Sequence, residues 1–244
     1  MRLTMLKKTA AAFWCGLAMV LLLASCTTPA PSPVATPHAI VGTEPTYPED
    51  LRGAALFQIA ADRSVIHILV HRGGTLSNLG HNHVISSGSV NGYIWKHEQS
   101  GLCGFDIALP VSNLIVDDDG ARAAEGADFP VNVPDTAKQG TQHNMLSEAL
   151  LDAEHYPMIR LQSANISGAV TSPQVVVHIT IKNQLHLYTL PVKVEAVDHE
   201  LHVRGEFSIK QTDFGIKPYS VAMGALQVLD ELQIKFDLIA EHQT

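Results

Sequence analysis

The sequence predicts an all-β domain, a closed antiparallel eight-stranded barrel with one short helix in a long connection. From Ala54 onward apolar and polar residues alternate, the period of strands with one dry face and one wet face. The alternating runs are short and bounded by turn residues, as in a sheet of hairpins. Little helical spacing remains to cover the apolar faces, so the sheet must close on itself and hide its own edges.

The first element lies outside that domain. Arg2, Lys7 and Lys8 flank and precede an apolar run that ends at Leu23, the layout of an export signal. The run is shorter than the ~20 apolar residues that a membrane span needs. Leu23-Ala24-Ser25-Cys26 resembles the cut site of a bacterial lipoprotein signal. The resemblance implies loss of residues 1–25 and a Cys26 acylated on its sulfur, with palmitate-type chains, and on its amine. Thr27 stands where lipoproteins kept in the inner membrane tend to carry Asp, which implies an outer-membrane anchor facing the periplasm. An ordinary export cut after Ala30 or Ala35 and an uncleaved span are the competing readings.

Residues 26–50 read as a tether. Prolines at 29, 31, 33, 37, 45 and 48 exclude a helix or a central strand there. Residues 51–244 then fit one domain, since barrels and sandwiches of about 200 residues are common as single units. Residues 1–25 hold three basic and no acidic side chains, so the remainder carries 13 Lys and Arg against 24 Asp and Glu, a net charge of −11. With no basic run to offset that balance, nucleic acid is excluded as a partner. Of Cys15, Cys26 and Cys103, only Cys103 would stay free in the domain, which leaves no disulfide framework and reads as an inert buried thiol.

The strands follow in order. Ile66, Ile68 and Val70 share one face, as do Phe105, Ile107, Leu109 and Val111. Val175, Val177, Ile179 and Ile181 form a third such face. Leu201, Val203, Phe207 and Ile209 alternate with His202, Arg204, Glu206, Ser208 and Lys210. The last strand sets Leu232, Ile234, Phe236 and Leu238 against Glu231, Gln233, Lys235 and Asp237. Asn183-Gln184 suits a tight hairpin, because Asn tolerates positive φ. Asp117-Asp118-Asp119 opens a polar connection to about Thr141, read as a solvated loop without the ligand order of a helix-loop-helix calcium site. Met145, Leu146, Ala149 and Leu150 then fall at helical spacing and predict a short helix closing one barrel end.

Specific residues carry a family resemblance. Leu151-Asp152-Ala153-Glu154-His155-Tyr156-Pro157 after a short helix is similar to a segment of YceI-like proteins. So are Ile179-Thr180-Ile181-Lys182 with Thr189-Leu190-Pro191-Val192, and Thr212-Asp213-Phe214-Gly215-Ile216. Phe57-Gln58-Ile59 with Asp62-Arg63-Ser64-Val65 resembles the family's opening strand. The resemblance implies a lipocalin-like barrel whose apolar cavity holds an isoprenoid or fatty-acid-like lipid. Asn183-Gln184-Leu185-His186-Leu187 departs from the family's sequence after that central strand, so contacts near this turn are not carried over.

An apolar inner face can line a cavity or simply fill the barrel. For a cavity, the expected lining is Phe57, Ile66, Ile68, Val70, Phe105, Ile107, Val177, Ile179, Phe207, Ile234 and Phe236, with His81 and His83 bonding the ligand's polar head. In an extended segment His81 and His83 share a face, and His71 approaches across Gly73-Gly74. Three imidazoles with an open position would suit zinc or copper, the basis of a metal-carrier or metal-dependent enzyme alternative. No carboxylate is placed beside them by the sequence. Ser147, Ser163, Ser208 and Ser220 lack a nucleophile elbow, and no phosphate-cradling glycine loop or dinucleotide fingerprint occurs, so no catalytic residue is assigned. The expected protein is a non-enzymatic, membrane-anchored binder of an apolar lipid without further cofactor. A filled barrel acting as an interaction module is the third reading, and homodimerisation is left open.

Overall fold

β12 (Leu226–His242), the longest strand, has a neighbour along each side, and its pairings define the architecture of this computed structural model. The structure describes residue 51, residues 53–97 and residues 103–243. The expected signal, the acylated Cys26 and the tether lie outside the described residues. In chain order the other strands are β1 (Ala54–Ile59), β2 (Val65–Gly73), β3 (His83–Ser87), β4 (Asn91–His97), β5 (Cys103–Pro110) and β6 (Leu114–Val116). They continue with β7 (Met158–Ala169), β8 (Ser172–Ile181), β9 (Gln184–Val197), β10 (Glu200–Lys210) and the short β11 (Ser220–Val221). Two helices, α1 (Asp119–Ala124) and α2 (Asp135–Leu146), separate β6 from β7.

The order β1-β4-β5-β7-β8-β9-β10-β12 returns to β1 through Phe57 opposite His242 and Ile59 opposite Ala240. All these pairs are antiparallel, so eight strands close a barrel as expected. The remaining strands extend its wall. β2 continues β1 along the same side of β12, β3 pairs with β2, and β6 pairs with β3. Three of the eight staves are therefore broken midway: β1/β2, β3/β4 and β5/β6.

Each break has a local cause. At the first, Ser64 Oγ accepts from the Ile239 amide at 3.0 Å, while Ala60 N–H donates to the Ile239 carbonyl at 2.8 Å. The side chain stands in for a missing ladder bond. Between β3 and β4, Gly88 passes so close to the third break that a Cβ would lie 2.0 Å from the Asn113 carbonyl oxygen. That contact interlocks the bend after β3 with the 3-10 turn Val111–Asn113 between β5 and β6.

The inward side of the staves forms the principal core, including Ile66, Ile107, Val177, Ile179, Ile234 and Leu238. A second cluster lies outside the wall, where Leu69 and Val84 are covered by Ala121 and Phe129. Such outward burial is invisible to a two-period reading, because it needs a covering segment from elsewhere in the chain.

Several local expectations are corrected. Two helices replace the single one foreseen, and α2 ends at Leu146, where Ser147 turns extended and its hydroxyl donates to the Asn144 carbonyl. Ala149 and Leu150 lie in the turn that follows. The tight hairpin is centred on Lys182 and Asn183, both with positive φ, and Gln184 already pairs with Ile181. Gly88→Ala is expected to destabilise the fold by about 1–3 kcal/mol, the usual cost of overpacking, because the obstacle is backbone. Urea unfolding of the purified protein measures it.

Candidate functional site

The half of the barrel toward β2's end and β12's start encloses a cavity of about 240 Å³. Its walls are apolar: Ile68 and Val70 from β2, Ile85 from β3, Ile209 from β10, and Leu232 and Ile234 from β12. Met145 of α2, with Leu150 and Leu151 from the next turn, closes one side. Polar groups gather toward the open end, among them Arg72, His81, His83, Gln211 and Gln227.

The cavity has a floor. On β2, β10 and β12 the lining stops at Ile68, Ile209 and Ile234, and the next inward residues are Ile66, Phe207 and Phe236. Tyr188 stacks on Phe214 at 6.2 Å between ring centroids, and Phe207 meets Phe236 edge-on at 6.3 Å. Gly205 makes room for this layer, since a Cβ there would lie 2.5 Å from the Phe236 ring. Tyr188 donates to Asp213 Oδ2 at 2.6 Å; burial first, and then this carboxylate, push its phenol up to about 12.

The expected lining residues are thus in phase on every strand but at different depths. Ile68, Val70, His81, His83 and Ile234 line the cavity. Ile66, Phe207 and Phe236 sit at the floor, and Phe57, Phe105, Ile107, Val177 and Ile179 belong to the core without lining the cavity. The cavity occupies the half of the barrel toward the start of β12.

The three histidines do not converge. Val70 pairs with His83, which places His83 on the cavity side. His71, the next residue along β2, projects from the opposite face and meets the Phe129 ring at 5.4 Å. Among the described residues no group of three or more His, Cys, Asp or Glu is placed to hold a metal. The metal alternative loses its third ligand to strand alternation.

A carboxylate does reach His83, from a segment read as solvent-exposed. Asp117 is fully buried and lies 2.6 Å from His83 Nδ1. Its other oxygen accepts from the Val84 amide at 2.9 Å and from the buried guanidinium of Arg122. Arg122 also donates to the carbonyls of Asn82 at 2.7 Å and Pro130 at 2.7 Å. Burial works to raise the Asp117 pKa, but bonds and charge from His83, the Val84 amide and Arg122 outweigh it and hold the carboxyl below its ordinary range. The ionised carboxylate accepts, so Nδ1 of His83 carries the proton and Nε2 is left as the ring's second hydrogen-bonding atom.

The rest of the acidic triplet is exposed, with lighter structural duties. Asp118 accepts from the Ala121 amide at 3.0 Å and caps α1, and Asp119 pairs with Lys138 of α2 at 2.6 Å. The solvated-loop reading holds for the exposed Asp118 and Asp119 and fails for Asp117, which is buried against His83 and the Val84 amide, 34 and 33 residues back along the chain. Cys103 is half-buried, and burial pushes its thiol up against a weaker opposing effect of Lys96, which fits an inert thiol.

A model of the YceI-like domain matches residues 95–240, more than half of the chain. The chain belongs to the YceI-like family. No curated protein matches it. Among solved structures, this YceI-like barrel is similar to BcnA of Burkholderia cenocepacia, at 16% identity over 78% of this chain and 98% of that one, with a TM-score of 0.49. The YCEI protein of Campylobacter jejuni matches at 10% identity over 64% of this chain and 82% of that one, with a TM-score of 0.46. The family match ends at residue 240, at the β12 segment that closes the YceI-like ring against β1.

Asp117→Asn is expected to cost about 3 kcal/mol, because it leaves Arg122 buried without its counter-charge. The depressed Asp117 pKa makes its contribution present above an unfolded value of about 3.9 and lost as pH falls through the lower folded value. Urea titrations across that acid range should show the loss in the parent and a flatter profile in Asp117→Asn.

Proposed function

We propose that this YceI-like protein is a periplasmic binding protein, anchored in the outer membrane through an acylated Cys26, that holds an amphiphilic, isoprenoid-like lipid for storage, transport or sequestration. The observation that carries the reading is a cavity with aliphatic walls, an aromatic floor and polar groups gathered at its mouth, with Thr141 and Asn144 of α2 besides. A hydrocarbon tail entering such a space gains roughly 25 cal/mol per Å² of apolar surface removed from water. The head group then meets Arg72, His81 and His83. Asp117 fixes the His83 ring, so Nε2 bonds the head group at little cost in ordering.

Family membership supports binding rather than catalysis, and the site agrees in chemistry. His83 with Asp117 resembles half of a nucleophile-activating relay, but the described lining residues include no serine or cysteine for it to activate. The dyad serves better as an oriented hydrogen-bonding group. The tether from Cys26 keeps the reservoir within reach of the membrane that supplies or receives the lipid.

Native mass spectrometry of the purified protein, followed by organic extraction, is expected to yield a hydrophobic molecule in near-stoichiometric amount. Val70→Trp, which places an indole in the cavity, should remove it while leaving thermal unfolding cooperative. An empty parent protein would favour the interaction-module reading instead. Extraction of a lipid from Val70→Trp in undiminished amount would place that lipid elsewhere.

A further inference from the structure

The open end of the barrel carries an unusual rim. Leu76 and Leu79 lie in the turn after β2, and Tyr219, Val221, Met223 and Leu229 lie around β11 and the start of β12; all six are exposed, Leu79 by 70% and Met223 completely. The two segments form one surface, because the Leu76 amide donates to the Ala225 carbonyl at 2.7 Å and the Val228 amide to the Tyr219 carbonyl at 2.9 Å. Soluble surfaces rarely gather so many large apolar side chains without a partner.

Charge says which partner. Residues 71–82 and 214–229 contain Arg72 and Lys217 but no Asp or Glu, in a chain with 24 acidic side chains against 16 basic ones. The two segments themselves thus carry cations and no carboxylate, and the flanking Asp213 and Asp230 are taken up by Tyr188 and Thr212. Apolar tips, an interfacial tyrosine and basic neighbours without acids suit the headgroup region of an anionic bilayer. The same segments border the cavity, through Arg72, Gly80, Tyr219, Leu226 and Gln227.

We infer that this rim docks on an anionic phospholipid bilayer, so that the cavity opens directly onto the lipid phase. The inference builds on the lipid-binding reading of the cavity and adds the route by which a ligand enters. It is compatible with the tether. Leu51 precedes β1, whose first residues lie at the barrel end away from the rim, since β1 pairs with the last residues of β12. The 17 residues of β12 span about 56 Å at most. The 25 steps from Cys26 to Leu51 span up to about 78 Å, so anchor and rim can engage one membrane.

Tryptophan quenching tests the inference on the full chain reconstituted into phosphatidylcholine vesicles containing phosphatidylglycerol. Met223→Trp reports on the rim, and Val170→Trp, at an exposed turn between β7 and β8 at the far end, is the control. With phospholipid brominated on its acyl chains, most of the emission added at position 223 should be lost and little of that at 170. Adding Leu79→Glu to Met223→Trp should restore the emission. Equal quenching at both positions, or stronger quenching at 170, overturns the inference. So does an unquenched position 223, which in a chain that sediments as a dimer would assign the rim to a second copy. Failure of the lipid-binding reading is separate, being the absence of extractable lipid.

Discussion

Everything in this molecule hangs on the ability of β12 to satisfy two sides at once. One side pairs with β10 from Glu200 opposite Glu241 to Lys210 opposite Glu231. The other side is shared, with β2 taking residues 227–237 and β1 taking residues 240–242. Closure removes the edges of the eight ring strands, the main hazard of an all-β chain, and leaves the short β6 and β11, each paired on one side. It also forces any strand that must follow β12's twist to bend, and the Ser64 substitution at Ile239 shows how one bend is made without an orphaned backbone group.

A second constraint operates at the wall beside the cavity. Asp117 gathers β3, the start of α1 and the chain near Pro130 around one buried charge, through His83, Val84 and Arg122. Buried ion pairs of this kind add little net stability, yet they penalise every arrangement in which one partner is missing. What the network specifies is position. It pins the covering segment over Leu69 and Val84 and holds one imidazole toward the cavity.

The sequence made the inward faces legible because strand alternation is local. Ile66, Ile68 and Val70 need only their own spacing to be assigned to one side, and Val177, Ile179 and Ile234 likewise. Depth along the barrel is not local, so the same alternation could not separate Ile68, which lines the cavity, from Phe105, which packs against the core outside it. The His83–Asp117 bond joins residues 34 apart, and a run of three aspartates reads as a solvated face until its partners are known. His71 misled for the converse reason, since adjacency to Val70 in the chain means opposite sides of the sheet. α2 was obscured by its polar composition and by Gly140, with apolar Met145 and Leu146 only at its end.

The aromatic layer of Tyr188, Phe207 and Phe236 ends the cavity, and on the proposed lipid-binding reading it would set the depth that a guest entering from the rim reaches. On that reading the barrel would work as a ruler closed by this layer. A short guest would disappear into it, whereas the excess length of a long one would emerge between Arg72 and Gln227, available for handover to another hydrophobic phase.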